Sequence, residues 1–232
     1  MDMGARFAML ALPAGLLLLP VVSAQNPSAT VGWYNGEWQS GIPGLANWYF
    51  EPRHFARVYD EFEVPGDGWV VVGVFSDNAF DLSTGKQPAD WETVVPVSHA
   101  SWEIRRDMSP GRGGKLVASR ISRAIQMPDP SVTSPPYPAG EPQRHFRVQV
   151  EGLRLRLPAG RYWLNVAPVV GGQVFLCATS GAHAVTLEPG SFGRALFHSS
   201  GGAAYVPAES AALAGQMGTA RHFSQGVLIE KR

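Results

Sequence analysis

The chain has 232 residues and no net charge, with 19 Lys and Arg against 19 Asp and Glu. Charged residues are only 16% of it, while 26 Gly and 19 Pro are spread along its length; this argues against long amphipathic helices and for many short strands joined by turns. A single cysteine, Cys177, excludes an intrachain disulfide, so stability has to come from a hydrophobic core.

Residues 7–19 form an apolar run behind a weakly positive Arg6, and Val22-Ser23-Ala24 places small residues at the −3 and −1 positions. The pattern is that of a signal peptide over residues 1–24, cleaved after Ala24, and predicts a secreted protein, extracellular or periplasmic. The run is shorter than the ~20 residues a membrane helix needs, and none of that length follows, so no stable membrane span is expected after cleavage.

Residues 25–52 are aromatic and turn-rich: Trp33, Tyr34, Trp38, Trp48, Tyr49 and Phe50 lie among Asn35-Gly36, Gly41, Pro43 and Gly44. No regular structure is predicted there. Flat rings stack on CH-rich faces such as those of pyranoses, which makes Trp33, Tyr34, Trp48 and Tyr49 the ligand-binding candidates. The more economical reading has the same rings closing one end of a sandwich.

Residues 53–232 are expected to form one β-sandwich domain. Residues 55–64 alternate, with Ala56, Val58, Asp60, Phe62 and Val64 on one face and Phe55, Arg57, Tyr59, Glu61 and Glu63 on the other. The second face is the polar one, so the first points inward and carries Asp60 with it. A buried carboxylate needs backbone donors, an arginine or a cation. Pro65-Gly66-Asp67-Gly68 is a turn, and residues 69–76 an apolar strand. Residues 76–81 read as a polar loop whose Asp77 and Asp81 are, with Asp60, weak candidate ligands for Ca²⁺; the spacing does not match a helix-loop-helix calcium site.

Trp102 and Ile104 alternate with Glu103 and Arg105, and a wide Gly-rich turn over residues 109–114 returns the chain as a hairpin. Residues 127–142 hold six prolines and suggest a crossing between sheets. Phe146, Val148 and Val150 mark one strand, and Leu153, Leu155 and Leu157 another inward set. Pro158 and Gly160 fit a type I turn; Tyr162, Leu164 and Val166 then share the inward face, with Trp163, Asn165 and Ala167 opposite. Cys177, among Val174, Phe175 and Leu176, reads as a buried thiol. The predicted architecture is all-β: a two-sheet antiparallel sandwich, jelly-roll-like, of about eight to ten strands.

Four stretches carry a resemblance: Val58-Tyr59-Asp60-Glu61-Phe62, Trp102-Glu103-Ile104-Arg105, residues 111–119 (Gly-Arg-Gly-Gly-Lys-Leu-Val-Ala-Ser) and residues 157–168. In that order they resemble a family of uncharacterised secreted bacterial β-sandwich proteins, many bearing a C-terminal sorting anchor, over roughly residues 55–185. The resemblance implies the fold and an extracellular location, and brings no catalytic residues. No anchor pattern precedes Arg232, from which release from the cell, or retention by other means, is expected.

Charge is uneven along the chain: residues 33–92 hold ten acids and three bases, residues 93–161 eleven bases and five acids. The bases alternate with core residues, so acidic and basic strands are expected to neighbour one another and no nucleic-acid partner is expected. Two functions remain. The first is a non-catalytic module binding an extracellular polysaccharide or cell-surface polymer, or a structural matrix component. The alternative is a secreted carbohydrate-active hydrolase or lyase, which would need two carboxylates ~5–9 Å apart from among Asp60, Glu61, Glu103 and Asp107. Asp60 and Glu61 are adjacent and face opposite ways, and Glu103 beside Arg105 is expected to be solvated. No Gly-x-Ser-x-Gly elbow, His-x-His or His-Glu-x-x-His occurs. No catalytic residue and no required cofactor is therefore assigned, and a non-enzymatic role is favoured.

Overall fold

The computed structural model describes residues 29–37, 44–80, 97–128, 144–170, 174–179, 181–186, 195–202, 204–210 and 222–230. The expected signal peptide, Trp38, Asp81 and most of the Pro-rich connection lie outside these residues. In chain order the strands are β1 (Ala29–Tyr34), β2 (Leu45–Ala46), β3 (Trp48–Glu51), β4 (His54–Val64), β5 (Trp69–Phe80), β6 (His99–Arg106), β7 (Lys115–Arg123) and β8 (Ile125–Pro128). They continue with β9 (Arg144–Leu157), β10 (Gly160–Pro168), β11 (Val174–Leu176), β12 (Ala178–Thr179), β13 (Leu196–Ser199), β14 (Val206–Pro207), β15 (His222–Phe223) and β16 (Gln225–Glu230).

Two seven-stranded sheets pack face to face as an all-β sandwich. One runs β1-β16-β5-β11-β2, with β9 paired to β5 and β8 to β9; the other runs β14-β13-β4-β10-β6-β7, with β3 paired to β4. The aromatic segment before residue 52 is therefore part of both sheets. The strands outnumber the expected eight to ten because pieces of two to four residues, such as β2, β12 and β14, are too short to show a period.

The core follows the predicted parity. Phe62 and Val64 of β4, Trp102 and Ile104 of β6, and Tyr162, Leu164 and Val166 of β10 meet Val71 and Val74 of β5 and Phe146, Val148 and Val150 of β9. The two inward sets at 146–150 and 153–157 belong to one strand, β9. Gly152, at φ 73°, interrupts it, and the register against β5 slips between Val71 and Gly73. The slip lets apolar residues of opposite sequence parity pack against the same core.

β5 corrects the expected polar loop at 76–81. It runs on through Phe80, and Ser76, Asp77 and Asn78 are fully buried strand residues. Their polarity is met by other strands: Asn78 donates to Ser76, Asn47 donates to Asn78, and Tyr34, Arg147 and Ser224 donate to Asp77. Asn165, expected on an outer face, is also buried. It donates to Val58 O at 3.0 Å and to Asn47 Oδ1 at 2.8 Å, filling the gap where β4 and β10 part after the Asp60–Leu164 pair.

Candidate functional site

The four aromatic candidates divide by burial. Trp33 is 1% exposed and stacks on Phe62 at 5.2 Å, inside the core. Tyr34 is buried with its hydroxyl on Asp77, and Trp48, half-buried, packs against the main core. Trp33 and Tyr34 offer no open face, which corrects the reading of those two as a ligand platform; Trp48 stays partly exposed. Tyr49 is buried as well, but Arg57 lies over its ring at 5.2 Å, and that contact leads to the outer face of the second sheet.

That face is built by strand parity. Arg57 and Tyr59 of β4, Trp163 of β10, and Ser101, Glu103 and Arg105 of β6 all point away from the main core. The expectation that Glu103 is solvated fails: it is 7% exposed. Tyr59, Trp163, Met108, Leu196 and Tyr205 pack together on this face, which Tyr205, just before β14, and Met108, in the turn after β6, cover. Trp163 is thus covered by these residues.

In this low-dielectric setting the Glu103 carboxylate is held from three sides. One oxygen pairs with Arg57 Nη1; the other accepts from Tyr59 Oη at 2.8 Å and Arg105 Nε at 2.7 Å. Arg57 Nη2 donates to Ser101 Oγ at 3.1 Å, and Arg105 Nη1 to Gly113 O at 2.9 Å. Arg57 Nε is buried and has no partner among the described residues.

Around the charges runs a row of rings. Arg57 covers Phe55 at 5.1 Å, Phe55 meets His198 edge-on at 5.0 Å, and His198 meets Tyr205 at 4.2 Å. Arg105 lies 5.8 Å from both Tyr205 and Tyr59. Phe55, His198 and Tyr205 are half-buried, so the row has an accessible side. Burial, reinforced by Arg57 and Arg105, holds the His198 imidazole below its ordinary value, and the ring is neutral at pH 7. The cluster therefore carries two guanidiniums against one carboxylate.

Tyr205 is fixed from beneath by the β6–β7 turn. Its backbone is left-handed, at φ 53°, and its carbonyl accepts from Gly111 N at 3.0 Å. A Cβ on Gly113 would sit 2.5 Å from the Tyr205 ring. Gly113→Ala is accordingly expected to push the ring out of the row at a cost of about 1–3 kcal/mol. Loss of the Tyr205–His198 contact, followed by the His198 ring shifts in an NMR titration, checks this; unchanged shifts would refute it.

The acidic candidates are separated. Asp60 is fully buried on the inner side and accepts from Asn35 Nδ2 at 2.5 Å, Phe223 N at 2.9 Å and Glu61 N at 3.0 Å. Glu61 pairs with Arg161 at 2.9 Å, and Asp107 is exposed in the turn after β6, at φ 57°. Asp60 and Glu103 thus lie on opposite faces of one sheet. Asp60 and Asp77 are approached by successive residues, Asn35 and Phe223 for the first, Tyr34 and Ser224 for the second. Among the described residues no group of three or more His, Cys, Asp and Glu is arranged to hold a metal ion.

Burial pushes the Asp60 carboxyl up to about 7, against the pull of its backbone and Asn35 donors. Burial also holds His145 down to about 4, beside the buried Cys177 thiol at 3.2 Å. The two act oppositely on stability. The folded chain keeps the Asp60 proton up to about 7 while the unfolded chain releases it near 4, so this contribution is present at low pH and is lost as pH rises to about 7. For His145 the unfolded chain binds the proton first, so stability is lost as pH falls from about 6.5 to about 4. Asp60→Asn is expected to cost most at about pH 4 and below, progressively less up to about pH 7, and no less beyond it; a pH-independent difference in urea midpoint would refute the assignment.

The residues that sequence reasoning did not assign to this site are Arg57, His198 and Tyr205. His198 and Tyr205 sit on β13 and just before β14, four- and two-residue strands whose pairing, β13 to β4 and β14 to β13, no local pattern announces. No family model, curated protein or solved structure matches the chain.

Proposed function

We propose that this chain is an exported, non-catalytic β-sandwich module that binds an extracellular glycan or surface polymer. The observation that supports this reading is the row Phe55–His198–Tyr205 laid beside Arg57 and Arg105 on the outer face of the second sheet. Rings with an accessible side stack on the CH faces of sugars, a neutral imidazole hydrogen-bonds their hydroxyls, and the guanidiniums behind the rings, held by Glu103, supply positive potential. The excess of guanidinium over carboxylate favours sugars that carry acid groups. The site thus moves from the aromatic residues of the N-terminal segment to rings that converge from β4, β13 and the residue before β14.

Affinity electrophoresis of the protein in gels of neutral and acidic polysaccharides tests the reading, with Phe55→Ala and Tyr205→Asn alongside. Asn tolerates the left-handed backbone at 205. Retardation by an acidic polysaccharide, reduced roughly tenfold in affinity by each substitution and without shortening of the polymer, is expected. Absence of retardation on every polysaccharide, or retardation that both variants retain, would sink it.

A further inference from the structure

We propose that the edge of β7 turned away from β6, which no other described strand pairs, docks an acidic, extended polypeptide segment by strand addition, independently of the ring-lined face. β7 spans nine residues at the end of the second sheet and pairs, among the described residues, with β6 alone. An unpaired edge presents a row of backbone N–H and C=O groups, which an added strand satisfies.

The side chains on this edge say what kind of strand it takes. Residues 109–126 contain Arg112, Lys115, Arg120 and Arg123 and no Asp or Glu. Leu116 and Ile121 are 45% and 47% exposed; they lie opposite Arg105 and Ser101 of β6, so both are on the outer face of the sheet. Arg120 lies opposite Trp102, on the inner face, and Arg123 returns to the outer one. The edge therefore offers apolar contacts on one face and positive charge on both.

A second copy of this chain does not complement it. Antiparallel pairing of β7 with itself about Ser119 sets Lys115 opposite Arg123, twice, and like charges directly opposite are destabilising. The register slip between Ile104 and Arg105 further distorts the strand pair against flat stacking. These features disfavour self-addition in that register, and the positive charge favours a strand of alternating acidic and apolar residues as the complementary partner. Two exposed aliphatic side chains and a ladder of backbone groups suit a polypeptide better than a phosphate backbone.

The test uses fluorescence anisotropy with the full chain and a fluorescent nine-residue peptide of alternating Glu and Val. Its controls are the Lys–Val counterpart, a backbone N-methylated Glu–Val peptide and a single-stranded oligonucleotide. Binding of the Glu–Val peptide is expected, weakened at least about tenfold by N-methylation and by Arg120→Glu with Arg123→Glu, a variant that should instead bind the Lys–Val peptide. Both arginines are outside the ring-lined site, and an unchanged melting temperature confirms that the variant is folded. Four results would overturn the proposal: no binding of the Glu–Val peptide at about 1 mM; binding indifferent to N-methylation; oligonucleotide binding of equal strength; or a dimer in sedimentation that the peptide dissociates.

Discussion

Glu103→Gln is expected to destabilise the fold by about 3–5 kcal/mol, the scale for removing one partner from a buried ion pair. In a domain of this size that lowers the melting temperature by roughly 10 °C. The reason lies in the asymmetry of the cluster. Among the described residues Glu103 is the single acid facing Arg57 and Arg105, and its neutral amide would leave the buried Arg57 and the part-buried Arg105 with no countercharge. Tyr59 would also exchange a carboxylate acceptor for an amide oxygen. Replacing the charges together reverses the expectation. Glu103→Gln with Arg57→Met and Arg105→Met keeps most of the packing volume, and should recover most of the lost stability while abolishing polysaccharide binding. A triple variant as unstable as the single one would show that the ions themselves are needed for the fold.

Asp77→Ala should be comparably severe, about 3–5 kcal/mol in urea or thermal unfolding. Asp77 is wholly buried and accepts four hydrogen bonds: two parallel ones from Arg147 at 2.6 and 2.8 Å, one from Tyr34 at 3.0 Å and one from Ser224 at 2.7 Å. Burial and the Asp77 charge also raise the Tyr34 hydroxyl well above its ordinary value, so it stays a donor throughout the usable pH range. Truncation removes the carboxylate that Tyr34 and Arg147 donate to, while Ser224 keeps Gly36 O as an acceptor at 2.8 Å. Arg147 in addition covers the Phe75 ring at 4.1 Å, so Arg147→Met retains part of that packing, and Asp77→Ala with Arg147→Met should be less destabilised than Asp77→Ala alone. Strict additivity of the two single effects would contradict the coupling.

The long alternating stretches were legible before any coordinates. Residues 157–168 give a turn followed by β10, with Tyr162, Leu164 and Val166 in the core as their parity requires. Asp60 was placed inside by its neighbours Val58 and Phe62, and its need for donors is met by Asn35 and two backbone N–H groups. What parity cannot report is whether the face turned away from the core is later covered. Arg57, Tyr59 and Glu103 have the pattern of a solvated face, and a hairpin more than ninety residues downstream of Glu103 buries them. The same blindness affects Ser76, Asp77 and Asn78: polar residues in sequence signal a loop, unless strands distant in the chain bring the donors and acceptors that let them stay in a sheet. The candidate site was out of reach for this reason, since it joins residues 55–59, 101–105 and 198–205, none of which is a motif alone.

The pairing of β1 with β16, Ala29 against Glu230, also sets the timing of assembly. The first described strand has to wait for the last: until residues 225–230 leave the ribosome, one flank of β5 and the whole inner edge of β1 have no partner. Contacts of such long sequence separation close late and slowly, on the scale of about milliseconds to seconds once the chain is complete. A growing chain of this topology therefore stays open along that edge until residues 225–230 are made, and its sandwich shuts only when β16 is in place.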